Sequence, residues 1–151
     1  MLNKKTKYGL HALLHLAKRY PRGPVLIVDL AQEEKIPQKF LESILLDLKK
    51  SGILHSKKGK GGGYSLAKPP DQILLGQVIR LLEGPLAPVS CVSQTAYRKC
   101  EECVDERSCG IRLVMKEVRD AMANILDKTN LEDLLDRVKK ARSKGVLDYM
   151  I

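Results

Sequence analysis

All four cysteines of this chain lie in one short polar stretch, with the spacing C-x8-C-x2-C-x5-C. They are Cys91, Cys100, Cys103 and Cys109. Thiols gathered in this way can bind a metal, pair as disulfides or act as a redox sensor. Seven charged residues between positions 98 and 107 share the stretch, so it cannot be buried core. Exposed, clustered thiols indicate metal or redox chemistry.

The spacing alone leaves the metal open. Zinc accepts four thiolates in a tetrahedron, and an iron–sulfur cluster accepts the same set. The paired C-x2-C units of a zinc ribbon are missing, which disfavours zinc. No apolar run approaches the ~20 residues of a membrane span, and the N-terminus is not a signal-peptide block. We therefore expect a cytoplasmic protein with no membrane partner, in which the thiols stay reduced.

Positive charge is concentrated in the first part of the chain, which has a net charge of +9 overall. Residues 1–68 carry 14 Lys and Arg against 5 Asp and Glu, whereas residues 69–151 carry 13 of each. This asymmetry predicts a basic module that binds a polyanion, joined to a neutral module that holds the thiols.

The elements of the basic module predict how it would bind DNA. Apolar spacing predicts helices over residues 6–19, with Thr6 as the cap, over 28–34 and over 37–51. Two strands, 53–57 and 64–67, flank a basic glycine-rich turn. This order is typical of a winged helix-turn-helix, in which the second helix of the motif enters the major groove and the tip of the wing lies on the backbone or in the minor groove. The residues predicted to contact DNA are Gln38, Lys39, Phe40, Glu42 and Ser43 on the helix, with Lys57, Lys58 and Lys60 in the wing.

The second half is predicted to be helical around the cysteine stretch. A helix over 75–82 follows a Pro-Pro break, a long helix covers 111–127, and a last helix covers 130–142 behind a Thr129/Glu132 capping box. The long helix carries an apolar seam with a period near 3.5 residues, which suits packing against a second copy. The seam predicted to form a dimer is Ile111, Val114, Val118, Met122 and Ile125, with Ala121 as an alternative to Met122.

The predicted fold class is mainly α with a small β-wing, a winged helix-turn-helix domain plus a long dimerisation helix. We predict a DNA-binding domain at 1–68, a connecting helix and loop at 69–90, a cluster-binding loop at 91–109, and dimerisation and C-terminal helices at 110–151. No set of residues supports catalysis, so we do not expect an enzyme.

These residues resemble those of the IscR/NsrR/RirA type of bacterial regulators, which are winged-helix iron–sulfur transcription factors. The likeness covers nearly the whole chain. The matching segments are Tyr8-Gly9-Leu10, Ile36-Pro37 with Phe40-Leu41-Glu42, the wing Gly61-Gly62-Gly63-Tyr64-Ser65-Leu66, Leu82-Glu83-Gly84, and Thr129-x-Leu131-x-Asp133-Leu134.

The resemblance implies a homodimer, joined through the long helix, on pseudo-palindromic double-stranded promoter DNA. Three family cysteine positions fall on Cys91, Cys103 and Cys109. The family's fourth ligand is a His at the position of Arg112, or an acidic residue early in the first helix, where this chain has Lys7 and Tyr8. Cys100 is the natural replacement and would make the site all-thiolate.

The function predicted from sequence is a transcriptional regulator that senses iron–sulfur, redox, nitric oxide or iron status. The cofactor would be an iron–sulfur cluster, with a 2Fe–2S cluster favoured over a 4Fe–4S cluster. The alternative is a winged-helix DNA-binding protein that contains zinc or a thiol–disulfide pair and no iron–sulfur cluster.

Overall fold

Six helices and two strands build the part of the chain that the structure describes, and a long loop at 83–109 separates the last two helices from the rest. The structure is a computed structural model that describes residues 2–150, with side chains described for residues 2–145. The elements are α1 (Lys4–Arg19), α2 (Ile27–Glu34), α3 (Gln38–Lys50), β1 (Leu54–Lys57), β2 (Gly63–Leu66), α4 (Leu75–Leu82), α5 (Gly110–Leu126) and α6 (Leu131–Met150). Three single-turn 3₁₀ helices lie at Pro70–Gln72, Ser90–Val92 and Glu106–Ser108.

The helix-turn-helix forms because α2 and α3 each turn an apolar stripe inward. Lys35 ends α2 in the left-handed conformation at φ 55°, and the buried Ile36 fills the turn. Pro37 then caps α3, whose inward stripe is fully buried. The buried stripe consists of Leu41, Ile44, Leu45 and Leu48. This packing against α1 and α2 leaves the opposite face of α3 open.

The wing is an antiparallel hairpin, with Leu54 opposite Leu66 and Lys57 opposite Gly63. Val25 extends it on the other side, because its N–H and C=O both bond to Tyr64, each at 2.9 Å. Of the apolar residues 25–27, Val25 alone pairs with β2, since α2 already begins at Ile27.

Gly63 is required for this pairing. Its φ is +132°, and an added Cβ would collide with the carbonyl of Val25. We therefore expect Gly63→Ala to destabilise the fold by about 1–3 kcal/mol, measured by thermal or urea unfolding. Gly23→Ala is the control, because no atom lies within 4 Å of an added Cβ there. Equal stability of both variants would contradict the prediction.

One hydrophobic core extends from the winged helix-turn-helix into the second half. It includes Val78 and Ile79 of α4 and Leu131 of α6. Gly9 of α1 lies against the Leu82 side chain so closely that a Cβ would collide with it. The glycine of the Tyr8-Gly9-Leu10 segment thus allows α4 to dock on α1.

Two helix caps differ from the sequence prediction. Asn3 caps α1, because its Oδ1 accepts from the Thr6 N–H at 2.9 Å, and Thr6 is a fully buried residue inside the helix. The capping box of α6 is Asn130/Asp133, not Thr129/Glu132, with reciprocal bonds of 3.0 and 2.8 Å. Thr129 instead donates to the Ile125 carbonyl.

The other predicted boundaries lie within one or two residues of the structure, except that α6 continues to Met150 rather than ending at 142. No helix within the described residues is long and apolar enough to cross a membrane.

Candidate functional site

The predicted recognition residues of α3 lie together at its N-terminal end. Gln38, Lys39, Glu42 and Ser43 are exposed, because the helix is held from behind by its buried stripe. Such a surface presents both charge and hydrogen-bonding groups to a groove.

Phe40 differs from its predicted neighbours because its side chain is half-buried. Its ring meets Tyr8 of α1 edge-on, at a centroid distance of 5.5 Å. Phe40 therefore positions α3 against α1. Leu46, which had no predicted role, is exposed on the outer face of α3 and adds an apolar contact surface there.

The wing exposes its three predicted lysines, Lys57, Lys58 and Lys60. The turn between the strands is made by Gly59 and Gly61, both at positive φ. Gly62 is buried, and an added Cβ would collide with the Lys57 carbonyl. The tight turn holds the three lysines on one short projection.

Ion pairs and hydrogen bonds link α1 to its neighbours. Lys5 pairs with Asp47 of α3 at 2.9 Å. Glu83, at the end of α4, accepts from the Thr6 hydroxyl at 2.6 Å and from the Asn3 N–H at 2.9 Å. These hydrogen bonds lower the pKa of Glu83, with the Thr6 bond as the larger cause. Gly84 follows directly, so α1 contacts both the recognition helix and the start of the cysteine loop.

The four cysteines line one cavity of about 430 Å³. Cys91 lies in the 3₁₀ turn Ser90–Val92, and Cys109 caps α5, with its Sγ accepting from the Arg112 backbone N–H at 3.5 Å. Cys91, Cys103 and Cys109 are half-buried, whereas Cys100 is exposed. All four are free thiols.

The cavity keeps Cys103 protonated more strongly than an ordinary thiol. Burial raises its pKa, and the neighbouring Cys109, Glu106 and Cys100 raise it further. The Cys103 N–H also donates to the Cys100 carbonyl at 3.2 Å, so these two thiols share one turn. A cation bound in the cavity would favour the thiolate form of Cys103.

The chemistry of the donor set, four thiols around one cavity, suits an iron–sulfur cluster. Among the described residues, no group of three or more His, Cys, Asp or Glu side chains lies close enough to hold a metal ion. A second observation favours an anionic occupant, because the Nε atom of Arg112, which also lines the cavity, is buried without an acceptor.

Three further residues of the site were not predicted as functional. Glu106 lines the cavity and accepts a hydrogen bond from the Tyr97 hydroxyl, which raises the pKa of Tyr97. Arg119 of α5 donates to the Val92 carbonyl at 2.7 Å and so ties the loop to the helix. Their spacing carries no periodic signal, so only the folded loop brings them to the thiols.

One face of α5 is apolar and open. Ile111, Val114, Val118 and Ile125 are 71%, 54%, 38% and 58% exposed. At the fourth seam position, Met122 is half-buried and the alternative Ala121 is exposed. Leu113 is also exposed, outside this seam. An apolar stripe of this length on a 17-residue helix is typical of a surface that a partner covers.

The fold is that of a winged helix-turn-helix DNA-binding protein. The helix-turn-helix packs on the hydrophobic core, the outer face of its recognition helix α3 is exposed, and a basic wing follows. The chain belongs to the Rrf2 family, described as iron-dependent transcriptional regulators, whose family model matches residues 2–137. It is therefore a transcriptional regulator and not an enzyme, as the sequence predicted.

Its relatives are regulators of more than one kind. A putative HTH-type transcriptional regulator, rrf2-like, from Rhodobacter capsulatus is 41% identical over 89% of this chain and 92% of its own. The structure of CymR, the global cysteine regulator of B. subtilis, matches with a TM-score of 0.76 and 33% identity, over 91% of this chain and 97% of that one. The structure of T. potens IscR matches with a TM-score of 0.72 and 28% identity, over 93% of this chain and 90% of that one.

Proposed function

We propose that this chain is a homodimeric, cytoplasmic regulator that senses iron–sulfur or redox status through a cluster in the cysteine loop. Cys91, Cys103 and Cys109 would be ligands, and Cys100 the fourth. The observation that carries the proposal is the single cavity that all four thiols line, at the start of the helix with the open apolar face. The description of the family as iron-dependent supports it.

The contacts of α1 support a route from the cluster to DNA. The loop begins after Gly84, and the adjacent Glu83 holds Asn3 and Thr6. Lys5, one residue from Thr6, holds Asp47 of the recognition helix. A loop that closes on a cluster would pull on Glu83 and so bias the position of α3. In this scheme residues 1–68 read DNA, 91–109 sense, and 110–151 join the two protomers.

Anaerobic reconstitution with iron and sulfide tests the sensor. We expect visible charge-transfer absorbance, with two irons per chain for a 2Fe–2S cluster. A colourless protein that binds one zinc per chain would contradict the proposal.

A second candidate is a thiol–disulfide regulator without a cluster. The likeness to CymR, a cysteine regulator, favours it, and so does the absence of a converged metal-binding group among the described side chains. Mild oxidation of the apoprotein, followed by mass spectrometry, separates the two candidates. A single disulfide that changes DNA affinity, in a chain that takes up no iron, would favour the second.

We expect the recognition helix and the wing to neutralise DNA phosphates. The triple change Lys39→Ala/Lys58→Ala/Lys60→Ala should weaken specific and non-specific binding alike, because each exposed lysine would release counterions on contact. The salt dependence of log K should flatten by about one unit for each lost contact. Fluorescence anisotropy at several salt concentrations measures both effects.

The triple change Lys139→Ala/Lys140→Ala/Lys144→Ala provides the matched control. It removes the same amount of positive charge, but from exposed positions on α6 rather than from α3 and the wing. If both triple variants bind with the affinity and salt slope of the wild type, the proposed interface is wrong. Changing Glu42, which can accept from cytosine N4, should instead alter sequence preference at near-constant non-specific affinity.

A further inference from the structure

Arg112 carries a buried donor that no acceptor among the described residues satisfies. Its Nε atom is shielded from solvent and has no hydrogen-bond acceptor. Among the described side chains, Arg112 also makes no ion pair with an acidic residue. A buried guanidinium N–H without a partner is costly, so its position calls for an acceptor that the protein itself does not supply.

The surroundings of Arg112 identify where that acceptor would lie. The side chain lines the same cavity as the four thiols. Its backbone N–H already donates to Cys109 Sγ. The nearby carboxylate of Glu106 accepts from Tyr97 instead.

We propose that the Arg112 guanidinium hydrogen-bonds to the anionic group held by the thiols and offsets part of its negative charge. This inference rests on the proposed function, since the anion would be the thiolate-ligated cluster. Arg112 is then a positioning and charge-compensating residue rather than a ligand, because an arginine stays protonated and does not coordinate metal. One-electron reduction adds a negative charge to the cluster, so a cation beside it stabilises the reduced form more than the oxidised form.

The test compares loaded proteins. Arg112→Gln removes the charge and should lower the reduction potential, because net charge and hydrogen bonds to sulfur both set the potential of such clusters. We expect the reduced-to-oxidised ratio at a fixed ambient potential to fall about tenfold, or 59 mV for a one-electron couple. Arg112→Lys keeps the charge and should lie nearer the wild type. Arg107→Gln, at an exposed arginine of the neighbouring cysteine loop, is the control.

Potentials are measured by anaerobic dye titration, with iron, sulfide and visible absorbance determined on each sample. If the wild type loads and Arg112→Gln keeps its potential within the range of Arg107→Gln, the inference is overturned and the sensor proposal stands. If the wild type takes up no cluster, both proposals fail together.

If Arg112→Gln takes up no cluster, cluster uptake by Arg112→Lys decides whether the missing positive charge is the cause. A loaded Arg112→Lys protein would support the need for a cation in the cavity. An Arg112→Lys protein that is folded by circular dichroism but also fails to load would overturn the inference, because charge would then not be what the site requires.

Discussion

Replacing Val118 with glutamate should convert the proposed dimer to a monomer at micromolar concentration and abolish specific operator binding. Val118 lies near the middle of the open apolar face of α5, between Val114 and Ile125. In a two-fold dimer through this helix, the change enters the interface once from each protomer. Both carboxylates would then be buried among apolar side chains without a cation.

The expected size of the effect follows from the cost of burying charge. An uncompensated buried carboxylate costs about 3 kcal/mol or more. Two such groups would weaken dimerisation by roughly 10⁴-fold, at about 1.4 kcal/mol for each factor of ten. Operator binding would fall as well, because a monomer engages one half-site of a pseudo-palindrome and loses the benefit of the second.

Light scattering across a concentration series measures the association directly. Asn124→Glu introduces the same charge on the same helix, at an exposed position about 120° around from Val118. That control should remain dimeric and bind DNA. A wild-type monomer at micromolar concentration, or a Val118→Glu protein that dimerises normally, would refute the proposed interface.

The helices and the wing could be predicted from sequence because their apolar spacing agrees with their burial. Residues 75–82 were predicted as a helix with the bounds that α4 has in the structure, since its apolar residues are nearly all buried on one face. The buried stripe of α3 was likewise visible as Leu41, Ile44, Leu45 and Leu48. Where one face of a helix is covered, local periodicity reports tertiary packing.

The caps were predicted less well, because partners distant in sequence decide them. Thr6 has a typical capping side chain, but it is buried beneath Glu83, 77 residues further along the chain. At α6, two candidate boxes are offset from each other by one residue, and the structure uses Asn130 with Asp133. On α5, Ala121 and Met122 remained alternatives for a different reason, because a 3.5-residue period cannot separate adjacent positions.

The cysteine loop gives the clearest limit to sequence-based prediction. Its four thiols are visible from composition and spacing. The position of Glu106 depends on a loop built from 3₁₀ turns and irregular backbone, for which no periodic pattern exists, and the same loop brings the thiols to Arg112 at the start of α5. A buried arginine without an acceptor can only be recognised once the fold shows which atoms surround it.

Removing any one of Cys91, Cys103 or Cys109 should abolish the visible absorbance of the reconstituted protein. Each is a half-buried thiol on the wall of the cavity, and they come from three separate parts of the loop. Because thiolates supply both the charge and the soft donors that iron–sulfur clusters need, alanine leaves a gap that water fills poorly. Absorbance, iron content and sulfide content after anaerobic reconstitution measure the loss.

Ser90→Ala is the matched control, since Ser90 lines the same cavity without carrying a thiol. Its spectrum should match the wild type. Full absorbance in any of the three cysteine variants would exclude that cysteine as a ligand. Folding of each variant is checked separately by circular dichroism, because none of the three thiols belongs to the hydrophobic core.

Cys100→Ala should have a smaller effect than the other three changes. Cys100 is exposed, and the half-buried carboxylate of Glu106 lines the same cavity, so an oxygen ligand is available when this thiol is removed. We expect a weaker or shifted spectrum, and a changed potential, rather than complete loss of colour. A Cys100→Ala/Glu106→Gln double variant should lose the visible absorbance that the Cys100→Ala single variant retains. If Cys100→Ala leaves both the spectrum and the potential unchanged, Cys100 is not the fourth ligand, although the three-cysteine site would stand.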